Sequence, residues 1–128
     1  MEKPLVSIIV LNYNGKYHLK DCFNSLYNLN YNMDKVEIIL VDNNSQDDSV
    51  EFVNRNYKGV KIIQLKKNYG CASGHHLGAR KSSGKYIVLL NNDIYADKNW
   101  LNELVKVAES SNEIGIVSSK IYYFSEKN

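Results

Sequence analysis

Proline is nearly absent from this sequence: Pro4 is the single one among 128 residues, and no proline-rich linker, low-complexity tract or internal repeat divides the chain. One folded unit over residues 1–128 is expected, a length that can bury a real core. Cysteine is scarce too. Cys22 and Cys71 form no CxxC pair, which fits reduced thiols in a cytosolic protein, with packing as their role. Charge of neither sign dominates, since 16 Lys and Arg face 14 Asp and Glu and leave a net +2, and the lysines are spread along the chain. Nucleic acid is therefore not an expected partner. No apolar run approaches the roughly 20 residues that cross a bilayer, so no membrane segment is expected. The opening MEKPLVSIIVLNYNG lacks the basic start, long apolar region and small-residue cleavage site of a signal peptide. Two phosphate-binding patterns are missing as well, GxGxxG and GxxxxGK[ST].

What the chain does have is a motif used three times. VSIIVLNYNG (6–15), VEIILVDNNSQDDSV (36–50) and YIVLLNNDIYAD (86–97) each run from an apolar strand into a clump of Asn and Asp. Continuous Val, Ile and Leu runs mark strands covered on both faces. Strands are expected at Leu5–Leu11, Val36–Val41, Val60–Leu65, Tyr86–Leu90 and Ile114–Ser118. The intervening segments carry helical spacing: one from Lys16 to about Leu29, one capped by Asn44 or Ser45 and reaching Asn56, one capped by Ser73 and reaching Lys81, and one capped by Asp97 with Trp100, Leu101, Leu104, Val105 and Ala108 inward. Strand and helix in alternation predict an α/β fold, a mostly parallel sheet flanked by helices on both faces with right-handed crossovers. All three clumps then share the carboxyl end of the sheet, where ligands of such folds bind.

Asp93, which follows Asn91 and Asn92, is the candidate metal ligand. Mg²⁺ and Mn²⁺ favour hard oxygen donors and take many of them from substrate phosphates and water. The alternative is a polar turn at a strand end. Asp42, directly after the second strand, could accept a hydrogen bond from a base imide or a sugar hydroxyl, or could stabilise the following helix start, a task better suited to Asp47 and Asp48. Asn12, Tyr13 and Asn14 join amides to an aromatic face on which a nucleobase could pack, although Tyr13 could equally be core. Gly15 permits the turn into the helix. NYGCASGHHLG (68–78), with Asn68 and Gly70, has the composition of a phosphate cradle. Adjacent helical residues point about 100° apart, so His75 and His76 do not share a metal ion; one of them, His76, is read as lining the site.

Taken together, VSIIVLNYNG, VDNNSQDDSV, KNYGCASGHHLGARKSSGKYIVLLNND and the apolar helix after Asp97 resemble the amino-terminal half of an inverting family 2 glycosyltransferase, in a rhamnosyltransferase-like variant. The resemblance implies the Rossmann-like nucleotide-binding half of the GT-A fold, truncated at its carboxy-terminal end. It implies a nucleoside diphosphate-sugar donor contacted by Asn12, Tyr13, Asn14, Asp42, Asn44, Asn68, Gly70, His76, Asn91 and Asn92. It further implies Mg²⁺ or Mn²⁺ on Asp93, the last position of a DxD-like motif in which Asn91 replaces the first Asp. The acceptor is a saccharide or lipid-linked saccharide, and the location is cytoplasmic, at the inner face of the membrane for the full-length protein. The reaction implied is a metal-assisted displacement at the anomeric carbon, with a carboxylate base on the acceptor hydroxyl. Glu103, Glu109, Glu113 and Glu126 match no such base, so the base and the acceptor site are expected outside this chain. Self-association is expected if a half-domain exposes apolar surface. Two other readings are a non-catalytic nucleotide-sugar-binding or regulatory module and a nucleotidyltransferase; the latter lacks a glycine-rich, basic triphosphate loop near the first strand.

Overall fold

The computed structural model describes residues 2–123. Strands and helices alternate: β1 (Val6–Asn12), α1 (Lys16–Tyr27), β2 (Val36–Asp42), α2 (Ser49–Asn56), β3 (Lys61–Gln64), α3 (Cys71–Ala79), β4 (Tyr86–Asn91) and α4 (Trp100–Ala108), with a short 3-10 turn at Met33–Lys35. The strands form one all-parallel sheet in the order β3-β2-β1-β4. Asn12 lies beside Asp42, and Leu11 beside Asn91, so the polar clumps meet at one end as the sequence implies.

Alternation along the strands divides the apolar residues between two layers. Val6, Ile8 and Val10 of β1 and Ile38 and Leu40 of β2 pack with Leu19, Cys22, Phe23 and Leu26 of α1, Val53 of α2, and Leu101 and Val105 of α4. On the opposite face lie Ile9, Ile39 and Val41, joined by Leu11, Ile63, Leu65 and Ala79 of α3. Helix α3 comes close to the sheet because its contact stripe is glycine. A Cβ on Gly78 would stand 2.6 Å from Ile9 Cγ2 and 2.7 Å from Val41 Cγ2, and one on Gly74 would stand 2.5 Å from Leu11 Cδ1.

Chain direction across the sheet reverses at β1: β2 and β3 are laid down on one side of it and β4 on the other. That reversal opens a crevice between the carboxyl ends of β1 and β4, the position where open α/β sheets bind ligands.

Several expected features differ. Residues 114–118 form no strand; with β4 and α4 they line an apolar groove of about 520 Å³ instead, and Ile116 is exposed. A strand requires a hydrogen-bonded neighbour, and apolar composition supplies none. Helix α2 starts at Ser49 rather than after Asn44 or Ser45, because Asn44 holds a left-handed φ of 66° and the Ser45 hydroxyl is engaged by Asp42, Asn12 and Asn14. Helix α3 starts at Cys71 behind Gly70, two residues before the expected cap Ser73. Ahead of α4, Asp97 Oδ1 accepts the Asn99 N–H at 2.8 Å, and Asn99 is the boundary residue. Cys22 is buried as expected, but Cys71 is exposed. Glu103, Glu109 and Glu113 are exposed, while Glu126 lies outside the described residues.

Candidate functional site

An open cavity of about 370 Å³ occupies the crevice, lined by Leu11 and Tyr13 at the end of β1, Asn43 after β2, Asn68, Gly70 and Cys71 ahead of and opening α3, and Asn91, Asn92 and Asp93 after β4. Its walls are mostly amide, with one aromatic ring and one carboxylate. Tyr13 is 51% exposed, which places its ring at the cavity and removes it from the core.

Beneath the floor, a hydrogen-bond network ties three strand ends together. Asn12 Nδ2 donates to Asp42 Oδ1 at 2.9 Å and to Ser45 Oγ at 3.1 Å, and Asn12 Oδ1 accepts from Asn92 Nδ2 at 2.6 Å. Ser45 gives both its donors to Asp42, backbone N–H to Oδ2 at 2.8 Å and hydroxyl to Oδ1 at 2.6 Å. Asp42 is 2% exposed and does not line the cavity. Its carboxylate is thus turned inward, where it accepts hydrogen bonds from Asn12 and from Ser45 in the loop ahead of α2. The residue that lines the cavity is its neighbour Asn43, itself only 3% exposed, which the sequence did not single out. Asn43 Oδ1 accepts the Tyr69 N–H and Asn43 Nδ2 donates to the Gly70 carbonyl, both at 3.1 Å, so it pins the 68–70 loop while keeping hydrogen-bonding capacity on each end of the amide. A signal for this was available in the alternation of the strand: Asn43 shares parity with Ile39 and Val41, which face α3, and Asp42 shares it with Ile38 and Leu40, which face away.

Asn14 and Asn44 build turns beside the cavity. Both take positive φ, 50° and 66°, a conformation Asn tolerates better than most residues. Asn14 Oδ1 accepts the Gln46 N–H at 2.7 Å, and the Asn44 carbonyl accepts Gln46 Nε2 at 3.1 Å. Gly15, by contrast, has an ordinary φ of −110°. Its missing Cβ matters because that atom would sit 1.8 Å from Asn92 Nδ2. Asp47 holds the start of α2, accepting the Ser49 N–H at 3.0 Å, the Ser49 hydroxyl, and the Lys16 N–H at 3.1 Å. Partial burial pushes the Asp47 carboxyl up, but these bonds and the Lys16 charge outweigh it and hold the group below its ordinary value.

The two histidines part company. His76 is exposed and does not line the cavity. His75 is buried, with Nε2 3.0 Å from the Leu90 carbonyl and Nδ1 3.5 Å from Cys71 Sγ. Asn68 Oδ1 accepts the Gly70 N–H at 2.8 Å, which sets the left-handed Gly70 at the mouth of α3.

Asp93 is exposed at the cavity wall and forms no hydrogen bond or ion pair among the described residues. Nor do three His, Cys, Asp or Glu side chains gather to hold a metal among them. The donor set at the cavity is therefore one carboxylate plus the amide oxygens of Asn91 and Asn92. Hard oxygens of that kind fit Mg²⁺ or Mn²⁺ only when a ligand phosphate and water complete the shell.

The sequence model of Glycosyl transferase family 2 matches residues 7–128. An uncharacterized glycosyltransferase of Haemophilus influenzae is 30% identical over 127 residues, covering 97% of this chain and 39% of that protein. The Escherichia coli UDP-Glc:alpha-D-GlcNAc-diphosphoundecaprenol beta-1,3-glucosyltransferase WfaP is 31% identical over 126 residues, covering 97% of this chain and 45% of that protein. Among solved structures, the mannosyltransferase PcManGT from Pyrobaculum calidifontis, in complex with GDP-Man and Mn²⁺, superposes with a TM-score of 0.83 at 22% identity over 90% of this chain and 35% of that one. S. aureus TarS superposes with a TM-score of 0.76 at 22% identity over 90% of this chain and 39% of that one. The chain thus shares their Rossmann-like GT-A fold and spans roughly two fifths of the length of these relatives.

Proposed function

The chain belongs to glycosyl transferase family 2, and from that premise we propose that its cavity binds the nucleoside diphosphate part of a sugar donor for inverting transfer to an acceptor hydroxyl. The observation that carries this reading is the make-up of the cavity at the β1/β4 reversal: an exposed tyrosine ring, a wall of amides and a single unpaired carboxylate. In this reading Tyr13 stacks on the base, Asn43 reads its polar edge, and Asn68 and the Gly70 backbone contact the ribose or phosphate side. Asn12, Asn14, Asp42 and Asn44 act indirectly, by fixing the loops that carry these groups.

Asp93, with Asn91 and Asn92 beside it, would hold a divalent cation jointly with the donor diphosphate. Held there, a divalent cation would supply positive charge to offset that of the departing diphosphate. The complex of PcManGT with GDP-Man and Mn²⁺ supports this assignment by analogy of fold. Replacement of a DxD aspartate by Asn91 leaves one negative charge fewer, so metal affinity in the absence of diphosphate is expected to be weak.

The described residues offer no carboxylate opposite Asp93 that could deprotonate an acceptor, since Glu103 and Glu109 lie on or at the end of α4, and Glu113 beyond it, all exposed away from the cavity. In this reading the base and the acceptor contacts come from polypeptide outside the chain, in keeping with the greater length of the relatives. A saccharide or lipid-linked saccharide acceptor is proposed, the latter by likeness to the diphosphoundecaprenol substrate in the name of the E. coli relative.

Calorimetry with UDP, dTDP and GDP, in Mn²⁺ and then in chelator, tests the donor site. One nucleoside diphosphate is expected to bind, to lose its affinity in chelator, and to lose it in Asp93→Asn. Binding that survives both would remove the metal from the mechanism. Folded protein that binds none of the three would overturn the donor reading in favour of a non-catalytic role elsewhere on the surface.

A further inference from the structure

Cys71 and His75 form a pair that nucleotide binding does not require. They stand at i and i+4 on α3, hence on one helix face. Leu90 offers His75 only a carbonyl oxygen, so the Nε2 atom 3.0 Å away must carry the proton and donate it. That leaves Nδ1 as a bare acceptor, and its partner is Cys71 Sγ at 3.5 Å. The ring is only 9% exposed, and the Leu90 bond holds it in the one tautomer that can take a proton from the thiol. The thiol itself is the first residue of α3, exposed, and part of the cavity wall. A nucleophile within reach of a base that a third group orients is the arrangement that activates sulfur for attack.

The other cysteine provides the contrast. Burial, aided by the Asp93 charge, pushes the Cys22 thiol up to about 12, and no solvent reaches it.

We propose that Cys71 is a nucleophilic thiol served by His75 as base, and that it is a modification site for low-molecular-weight disulfides entering the cavity. Sγ attacks one sulfur of the disulfide while its proton passes to His75 Nδ1. A new Sγ–S bond forms as the old S–S bond breaks, and the departing thiolate recovers a proton from the imidazolium. Cys71 is oxidised to a mixed disulfide, the leaving half is reduced to a thiol, and an added thiol reverses the exchange. The adduct would then occupy the cavity and exclude a nucleotide, a consequence that rests on the donor-site reading above.

The test is to follow iodoacetamide and glutathione disulfide adducts on the full chain at pH 7 by intact mass and peptide mapping. Labelling is expected on Cys71 and not on Cys22, with the iodoacetamide rate at least about tenfold above that of free glutathione, a modest share of what a positioned base usually contributes. His75→Gln should lower the rate by a similar factor. A wild-type rate no faster than glutathione overturns the proposal by itself, whether or not the His75 variant folds; a folded His75→Gln protein that labels at the wild-type rate overturns it as well. Nucleoside diphosphate with Mn²⁺ should slow labelling. A nucleotide that binds yet leaves the rate unchanged would detach Cys71 from the donor site. Fast, His75-dependent labelling in a protein that binds no nucleotide would instead sink the donor reading and leave the thiol assignment standing.

Discussion

Asn12 shows how much can hang on one buried amide. Its three hydrogen bonds reach Asp42, Ser45 and Asn92, so it joins the ends of β2 and β4 to that of β1. Asn12→Ala would leave the buried Asp42 carboxylate short of a donor and Asn92 short of an acceptor. A loss of about 1–3 kcal/mol is expected, the usual cost of stranding a buried polar group, measurable as a lower urea midpoint at unchanged slope. Gly15→Ala should act on the same network from the other side. Because its Cβ would meet Asn92 Nδ2 at 1.8 Å, Asn92 must move. The expected cost is about 1–3 kcal/mol in a denaturation curve, together with loss of nucleotide binding. The sequence made this cluster of Asn and Asp plain, yet it could not tell which residues face a ligand and which face one another. Asp42, expected to read the base, is buried in the scaffold network and does not line the cavity; His76, expected to line the site, is exposed away from the cavity, while His75 is buried. Such choices depend on side-chain direction, which alternation indicates for Asp42 and Asn43 at the end of β2 but which turn geometry sets for residues farther into the loops.

At the scale of elements, α3 sits where it does because its points of closest approach to β1 and β2 are glycines. Gly74 and Gly78 let the helix approach Leu11, Ile9 and Val41 closely enough that any added methyl must displace β1 or β2 side chains. Gly78→Ala is expected to destabilise by about 1–3 kcal/mol despite the better helix propensity of alanine, a sign that a thermal melt would settle. Since α3 carries Gly70 and Cys71 to the cavity, the same substitution should weaken ligand binding more than an equally destabilising change in α4, for example Val105→Ala. Strands and helices were readable from periodicity, and β1, β2, β3 and β4 fall within one or two residues of their expected limits. Helix starts were less so, because Asn44, Ser45 and Ser73 can all cap a helix in principle, and two of the hydrogen bonds that employ Ser45 elsewhere come from Asn12 and Asn14, distant in sequence. The missing fifth strand has a similar cause. Residues 114–118 have the composition of a strand, but β4 pairs only with β1 among the described residues.

For the whole molecule, one source of acid sensitivity lies at the end of the sheet opposite the cavity. Glu37 Oε2 accepts the Ser7 hydroxyl at 2.5 Å and the Ser83 N–H at 3.0 Å, and Oε1 accepts the Ser83 hydroxyl at 3.0 Å. Partial burial raises this carboxyl, but the three bonds and the nearby Lys61 charge outweigh it and hold the group below its ordinary 4.5. A carboxyl lowered on folding stabilises fully above its unfolded value and loses that contribution as pH falls through the lower, folded value. Stability is therefore expected to decline as pH drops below about 4.5, and Glu37→Gln, measured by thermal melts from pH 7 to pH 3, should be less stable at neutral pH with a shallower decline. Asp47 shifts in the same direction and will add to the wild-type slope, so the difference between the two proteins isolates Glu37.

The Asn12 network spans 30 residues to Asp42 and 80 to Asn92. On a ribosome adding about 5–20 residues per second, Asn92 is made roughly 4–16 s after Asn12. Through that interval β1 and β2 can already pair, while one side of the Asn12 amide waits for a strand that does not yet exist. The mouth of the sheet thus stays open until β4 has emerged, and a ligand that needs all three strand ends can bind only once the fourth strand has docked.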